Sequence, residues 1–117
     1  MPDPVIHFEI ISKDADKLHS FYSEVFDWKI DANNPMHYGI VDNGGEGING
    51  GIGGVMDHDY AGHVTFYISV ADPAATLEKI EALGGKTLVP PDQIPGTDTV
   101  IAQFQDPAGN RIGLTKS

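Results

Sequence analysis

An imidazole and a carboxylate two residues apart are the first chemistry this sequence offers: His7 and Glu9 lie within Val5-Ile6-His7-Phe8-Glu9-Ile10-Ile11. Side chains alternate along a strand, so His7, Glu9 and Ile11 share one face while Ile6, Phe8 and Ile10 share the other. A carboxylate beside an imidazole tunes a general base near neutral pH, or grips a polar group of a ligand. Thr65 and Tyr67 stand in the same relation 58 residues later, in His63-Val64-Thr65-Phe66-Tyr67-Ile68-Ser69-Val70. Same-face neighbours on a strand are about 6–7 Å apart, so Glu9 can bend toward His7 and His63 toward Thr65. Met56 and Gln103 complete the candidate ligand pocket. Other chemistries are poorly supplied. The chain has no cysteine and no serine in a triad pattern, and the glycines of Gly47 to Gly54 are not followed by the Lys-Ser/Thr of a phosphate loop. His19, His37 and His58 fall beside a helix stripe, at a strand start and in a loop, where solvated or hydrogen-bonded roles are expected.

The elements that must position these residues follow from periodicity. Val5 to Ile11 predicts a strand, with Asp14 as the cap of a helix whose stripe is Leu18, Phe21, Tyr22, Val25 and Phe26. Tyr22 and Trp28 belong to the end of that helix and predict core roles. Met36 to Val41 reads as strand, Asp42-Asn43-Gly44-Gly45 as a turn, and the glycine run after it as a strand with a bulge or a close neighbour. His63 to Val70 opens a second copy of this layout. Asp72-Pro73 caps a second helix with Leu77, Ile80 and Leu83 on its buried face, and Gly84-Gly85 ends it. Val89 to Pro95 predicts a loop or edge, Thr99 to Gln105 a strand, Asp106 to Asn110 a turn and Arg111 to Thr115 a final strand. The class is therefore α+β, with two βαβββ modules, about residues 1–57 and 62–117, in a single domain. Their mixed sheets are expected to curve into one eight-stranded sheet with a concave face.

Bulk composition limits the partners. Seventeen acids against seven Lys and Arg give a formal charge of −10, which opposes nucleic-acid backbones and favours cationic ligands by steering. No apolar run is long enough for a membrane span, and the start Met1-Pro2-Asp3-Pro4 lacks the features of an export signal. A cytoplasmic protein is the expectation.

Several motifs together carry a family resemblance: His7-Phe8-Glu9-Ile10, Asp14, Phe21-Tyr22 with Val25-Phe26-Asp27-Trp28, Gly84-Gly85, and Asp106-Pro107-Ala108-Gly109-Asn110. The chain resembles the vicinal oxygen chelate superfamily of glyoxalases, bleomycin-resistance proteins and extradiol dioxygenases, and within it the short two-module relatives of lactoylglutathione lyase. That resemblance implies the glyoxalase-like fold, a homodimer and a small organic ligand. In metal-dependent members it also implies four ligands from the first and last strands of each module. The corresponding positions here are His7, Thr65, the acid-free glycine run and Gly113, so only the first keeps a metal-ligating side chain. A resident divalent metal or other cofactor is therefore not expected. If an ion does bind, His7, Glu9 and His63 are its expected ligands.

The expected function is metal-independent binding of a small molecule, or metal-free catalysis, in a pocket of His7, Glu9, Thr65, Tyr67, Met56 and Gln103. The alternatives are a divalent-metal lyase, isomerase or dioxygenase with a site rebuilt around His7, sequestration of a cationic toxin or drug, and an interaction module.

Overall fold

The computed structural model describes residues 2–116, with strands β1 Val5–Ser12, β2 Lys29–Asp31, β3 Gly39–Asp42, β4 Asn49–Gly54, β5 His63–Ser69, β6 Lys86–Gln93, β7 Val100–Gln105 and β8 Arg111–Lys116. Helices α1 Ala15–Phe26 and α2 Pro73–Ala82 follow β1 and β5. This is the α+β class with the βαβββ order expected twice. Among the described residues no helix is long and apolar enough to cross a membrane. The chain forms two compact units, one from His7 to Val64 and the other from the residues up to Ile6 together with those from Thr65 on.

In the His7–Val64 unit β1 runs parallel to β4, β4 antiparallel to β3, and β3 antiparallel to β2. The capping side chain of Asp14 accepts from Lys17 N–H, and Asp27 closes α1 in a left-handed conformation at φ 60°. Phe8, on the apolar face of β1, packs against Trp28 at 5.3 Å, and Trp28 stacks on Tyr22 at 5.0 Å. Both aromatic residues thus pack, but half-buried rather than in the core that their position predicts. The rest of the helix stripe is less covered than its amphipathicity suggests, with Phe21, Val25 and Phe26 all more than half exposed. The face that α1 turns inward carries Ala15, Leu18, His19, Tyr22 and Ser23, with His19 Nε2 2.8 Å from Ile52 O of β4, so Phe21 and Val25 fall outside it. Val41 and Ile52 are fully buried and form the centre of this unit.

Three of the four glycines of β4 are required by rings, which lie on both of its faces. A Cβ at Gly50 would overlap the Phe8 ring, and one at Gly51 or Gly53 would overlap the ring of Tyr38. Close approach, rather than a bulge, explains these three, whereas Gly47 and Gly54 meet no ring. Met36, His37 and Tyr38 are not strand as their pattern predicts: they precede β3 in a turn and its exit, with His37 at φ 52°. Asn34 enforces that turn by accepting from Tyr38 N–H at 2.9 Å and donating to Tyr38 O at 2.7 Å.

The second unit repeats the pairing scheme, with β5 parallel to β8, β8 antiparallel to β7, and β7 antiparallel to β6. Asp72 caps α2 by accepting from Ala75 N–H, with Pro73 in the first turn. Leu83 is 72% exposed, contrary to its place on the predicted stripe, because the helix stops at Ala82 and Gly84 turns the chain at φ 99°. Val89 to Gln93 belong to β6. Pro90 and Pro91 are accommodated because β6 pairs with β7 alone, at two register shifts. Val70, Leu77, Ala102, Phe104 and Leu114 make the core. The Asp106 carboxylate ties the turn before β8 by accepting from Ala108 N–H, Asn110 N–H and the Asn110 amide. Those bonds, the Asn110 side chain foremost, hold its pKa below the ordinary carboxylate value.

Candidate functional site

On β1 the register places Glu9 opposite Gly51 and Ile11 opposite Gly53, so the Tyr38 ring that covers those glycines lies on the face that carries His7 and Glu9. His7 Nε2 is 3.2 Å from the Tyr38 hydroxyl, and that hydroxyl donates to Glu9 Oε2 at 3.2 Å. The phenol has one proton and gives it to the carboxylate, so His7 donates its Nε2–H to the phenol oxygen. The other carboxylate oxygen, Oε1, is 2.9 Å from His63 Nε2, and His63 Nδ1 is 2.5 Å from the Tyr60 hydroxyl. Five side chains, His7, Tyr38, Glu9, His63 and Tyr60, thus form one hydrogen-bonded chain within a single unit. Its centre is shielded, with the Glu9 and His63 side chains 12% and 14% exposed. Burial holds the His7 pKa below its ordinary value, and the Glu9 charge offsets this only in part. His7 is therefore a neutral imidazole at neutral pH.

Tyr38 and Tyr60 were not among the residues singled out by sequence. Tyr60 had a weak signal, three positions before His63 in a polar connection. Tyr38 had none, because its reach to Glu9 depends on the β3–β4–β1 register.

In the second unit Thr65, Tyr67 and Gln103 are all buried. The Thr65 hydroxyl donates to Arg111 O at 2.5 Å. Gln103 Nε2 donates to the Tyr67 hydroxyl at 2.8 Å, and Arg111 Nη1 donates to Gln103 Oε1 at 2.5 Å. Tyr67 lies opposite Gly113 in the β5–β8 ladder, and a Cβ at Gly113 would overlap its ring. Met56 joins neither network: it stands 87% exposed in the turn after β4. An apolar hollow of about 260 Å³ beside α2, lined by Thr76, Ile80, Phe104 and Pro107 among others, contains no histidine.

The residues at the four chelating positions do not fit a resident divalent ion. Thr65 uses its hydroxyl on a backbone carbonyl, β4 carries no acid, and Tyr38 and Tyr67 fill the space above Gly51 and Gly113 through which a longer side chain would project. A catalytic metal normally takes three protein ligands, and His7 alone remains.

A family model described as the Glyoxalase/Bleomycin resistance protein/Dioxygenase superfamily matches residues 5–114. The chain belongs to that superfamily. No curated protein sequence matches it. Among solved structures it is similar to a superfamily member from Vibrio splendidus 12B01, at 16% identity over 99% of this chain and 100% of that one, with a TM-score of 0.68. It is also similar to a hypothetical protein from Bacillus halodurans C-125, at 12% identity over 100% and 96% of the two chains and a TM-score of 0.72. A methylmalonyl-CoA epimerase in complex with methylmalonyl-CoA and NH4+ gives 15% identity, the same coverage and a TM-score of 0.68. At these identities the likeness establishes the glyoxalase-like fold.

Proposed function

We propose that this protein binds a small organic molecule through the His7–Tyr38–Glu9–His63–Tyr60 chain, without a metal ion at the superfamily's chelating position. The observation that carries this reading is the Glu9 carboxylate, held between the Tyr38 phenol and His63 beside a histidine that burial keeps neutral. A neutral His7 accepts a proton from an acidic ligand group, and Tyr38 links the resulting cation to the Glu9 charge. The same groups grip a carbonyl or hydroxyl that does not react. The formal charge of −10 raises the local concentration of neutral or cationic molecules relative to polyanions. Chemistry on the ligand, if any, is proton transfer.

The test is a titration of 15N-labelled protein with three probes: methylmalonyl-CoA, a neutral 1,2-dicarbonyl and a cationic aromatic amine. Binding of any one that moves the His7 and His63 ring signals, and that weakens at least tenfold in both His7→Ala and Glu9→Gln, supports the reading. Equal binding by wild type and both variants, or no binding, removes it. Deuterium exchange into the bound probe separates catalysis from capture. Capture governed by charge weakens between low and high salt.

A second reading places a divalent ion between His7, Glu9 and His63, and the 2.9 Å approach of His63 to Glu9 favours it. Such an ion would displace the Tyr38 and His63 protons from the carboxylate. Metal bound in stoichiometric amount and lost in His7→Ala would put this reading first.

A further inference from the structure

Outside that network, Asp16 and His19 of α1 and His37 of the turn before β3 bring one ligand atom each to within 4.8 Å of the others. Asp16 and His19 are three apart on a helix and so share a face. His37 comes from another element, and its Nε2 lies 2.6 Å from Asp16 Oδ1. His19 is the anchor, with its side chain only 13% exposed. Its Nε2 is 2.8 Å from Ile52 O, and a carbonyl only accepts, so Nε2 carries the hydrogen and Nδ1 of the neutral ring carries a lone pair. That lone pair faces Asp16 Oδ1 at 4.0 Å. At 4.0 Å the two groups make no hydrogen bond with each other, and the gap between them is wide enough for a shared cation.

We infer that Asp16, His19 and His37 form a binding site for a divalent transition-metal ion, of which Zn²⁺ is the first candidate. Two imidazoles and a carboxylate are a common donor set for such ions, with water completing the shell. The ring N–H of a metal-bound histidine typically donates to a backbone carbonyl or carboxylate, and the His19 bond to Ile52 O already does so. A tetrahedral ion with bonds of about 2.0–2.2 Å holds its ligand atoms roughly 3.3–3.5 Å apart. The separations of 2.6 and 4.0 Å bracket that value. The adjustment falls on Asp16 and His37, whose side chains are 76% and 63% exposed. Gly39 leaves the space that the His19 ring occupies, since a Cβ there would stand 2.5 Å from His19 Nε2.

The consequence is a tie between α1 and the turn that delivers Tyr38, the residue after His37. The site shares no ligand with the His7 network.

The experiment is calorimetric titration of the metal-stripped protein with ZnCl₂, in wild type, Asp16→Asn, His37→Ala and His7→Ala. Asp16 and His37 are exposed, so their variants keep the fold, and circular dichroism verifies this. The expected result is one equivalent bound by wild type and by His7→Ala, at least tenfold weaker in the other two variants, with a zinc-dependent shift of the His19 Nδ1 resonance. Absence of binding by wild type overturns the inference. So does binding that survives His37→Ala and Asp16→Asn, and loss in His7→Ala alone would assign the ion to the second reading above.

Discussion

The phenol of Tyr38 occupies the position that a Cβ on Gly51 would take. Tyr67 stands in the same relation to Gly113 in the other unit. Where the superfamily resemblance implies carboxylate ligands on the last strand of each module, this protein has a glycine covered by a tyrosine ring. Gly51→Ala must therefore push Tyr38 aside and disturb its bonds to His7 and Glu9. Overpacking of this kind costs about 1–3 kcal/mol, a fall in Tm of roughly 3–15 °C for a domain of this size. Adding Tyr38→Ala should recover part of the Gly51→Ala loss, because residues in contact couple. Thermal unfolding of the two single variants and the double variant checks this. Strictly additive losses would show that the ring and the glycine do not constrain each other.

His7 makes stability depend on pH with a defined sign. Its folded pKa lies below the ordinary value, whereas in the unfolded chain it titrates at about 6.5. Between those two values the unfolded chain binds a proton that the folded chain does not, so acidification favours unfolding. The contribution of His7 is full above about pH 6.5 and falls as the pH drops through the window beneath it. His7→Gln should flatten this part of the stability curve. Glu9→Gln removes the charge that raises the His7 pKa, and NMR titration of that variant should find His7 titrating still lower. A His7 that titrates at or above 6.5 in wild type would contradict the first expectation, and one unmoved or raised by Glu9→Gln the second.

How much of this was legible beforehand depends on sequence separation. Asp14, Asp72 and the Asp106–Asn110 turn act within four residues of themselves, and local spacing reveals such features. The two faces of β1 were legible for the same reason, since alternation alone puts His7 and Glu9 opposite Phe8. Partnerships across the fold were not. Tyr38 meets His7 across 31 positions and His63 meets Glu9 across 54, and those depend on register, which no single strand encodes. His37 reads as a strand residue until Asn34 is seen to bond Tyr38 at both its N–H and its carbonyl. The Asp16–His19–His37 cluster escaped because two of its members look individually like solvated histidines.

The buried polar network of the second unit predicts a stability effect without a ligand. Gln103 accepts from Arg111 and donates to the Tyr67 hydroxyl, and it is only 9% exposed. Gln103→Ala deletes both bonds, at about 0.5–1.5 kcal/mol each. A loss of roughly 1–3 kcal/mol is expected in denaturant unfolding, with the slope of the transition unchanged. Gln103→Glu keeps the bond to Arg111 and should retain more stability than alanine. If alanine and wild type unfold at the same denaturant concentration, Gln103 is replaceable and the network does not hold the Tyr67 ring over Gly113.

Self-association, which the superfamily resemblance implies, has its own test. Thr65 and Tyr67 turn to the buried side of β5, so the alternating residues Val64 and Phe66 turn outward, 78% and 38% exposed. Ile6 of β1 is 43% exposed. Apolar side chains left open on a strand face lower their free energy when a second surface covers them, by about 25 cal/mol for each Å² removed from water. Light scattering should then give twice the 12.6 kDa chain mass, and Val64→Lys should shift the protein toward monomer, because covering an unpaired ammonium costs more than the apolar burial returns. A wild type that is monomeric at high concentration would refute the dimer. A dimer indifferent to Val64→Lys would place the interface elsewhere, with the half-exposed Phe21, Val25 and Phe26 of α1 as the next surface to substitute.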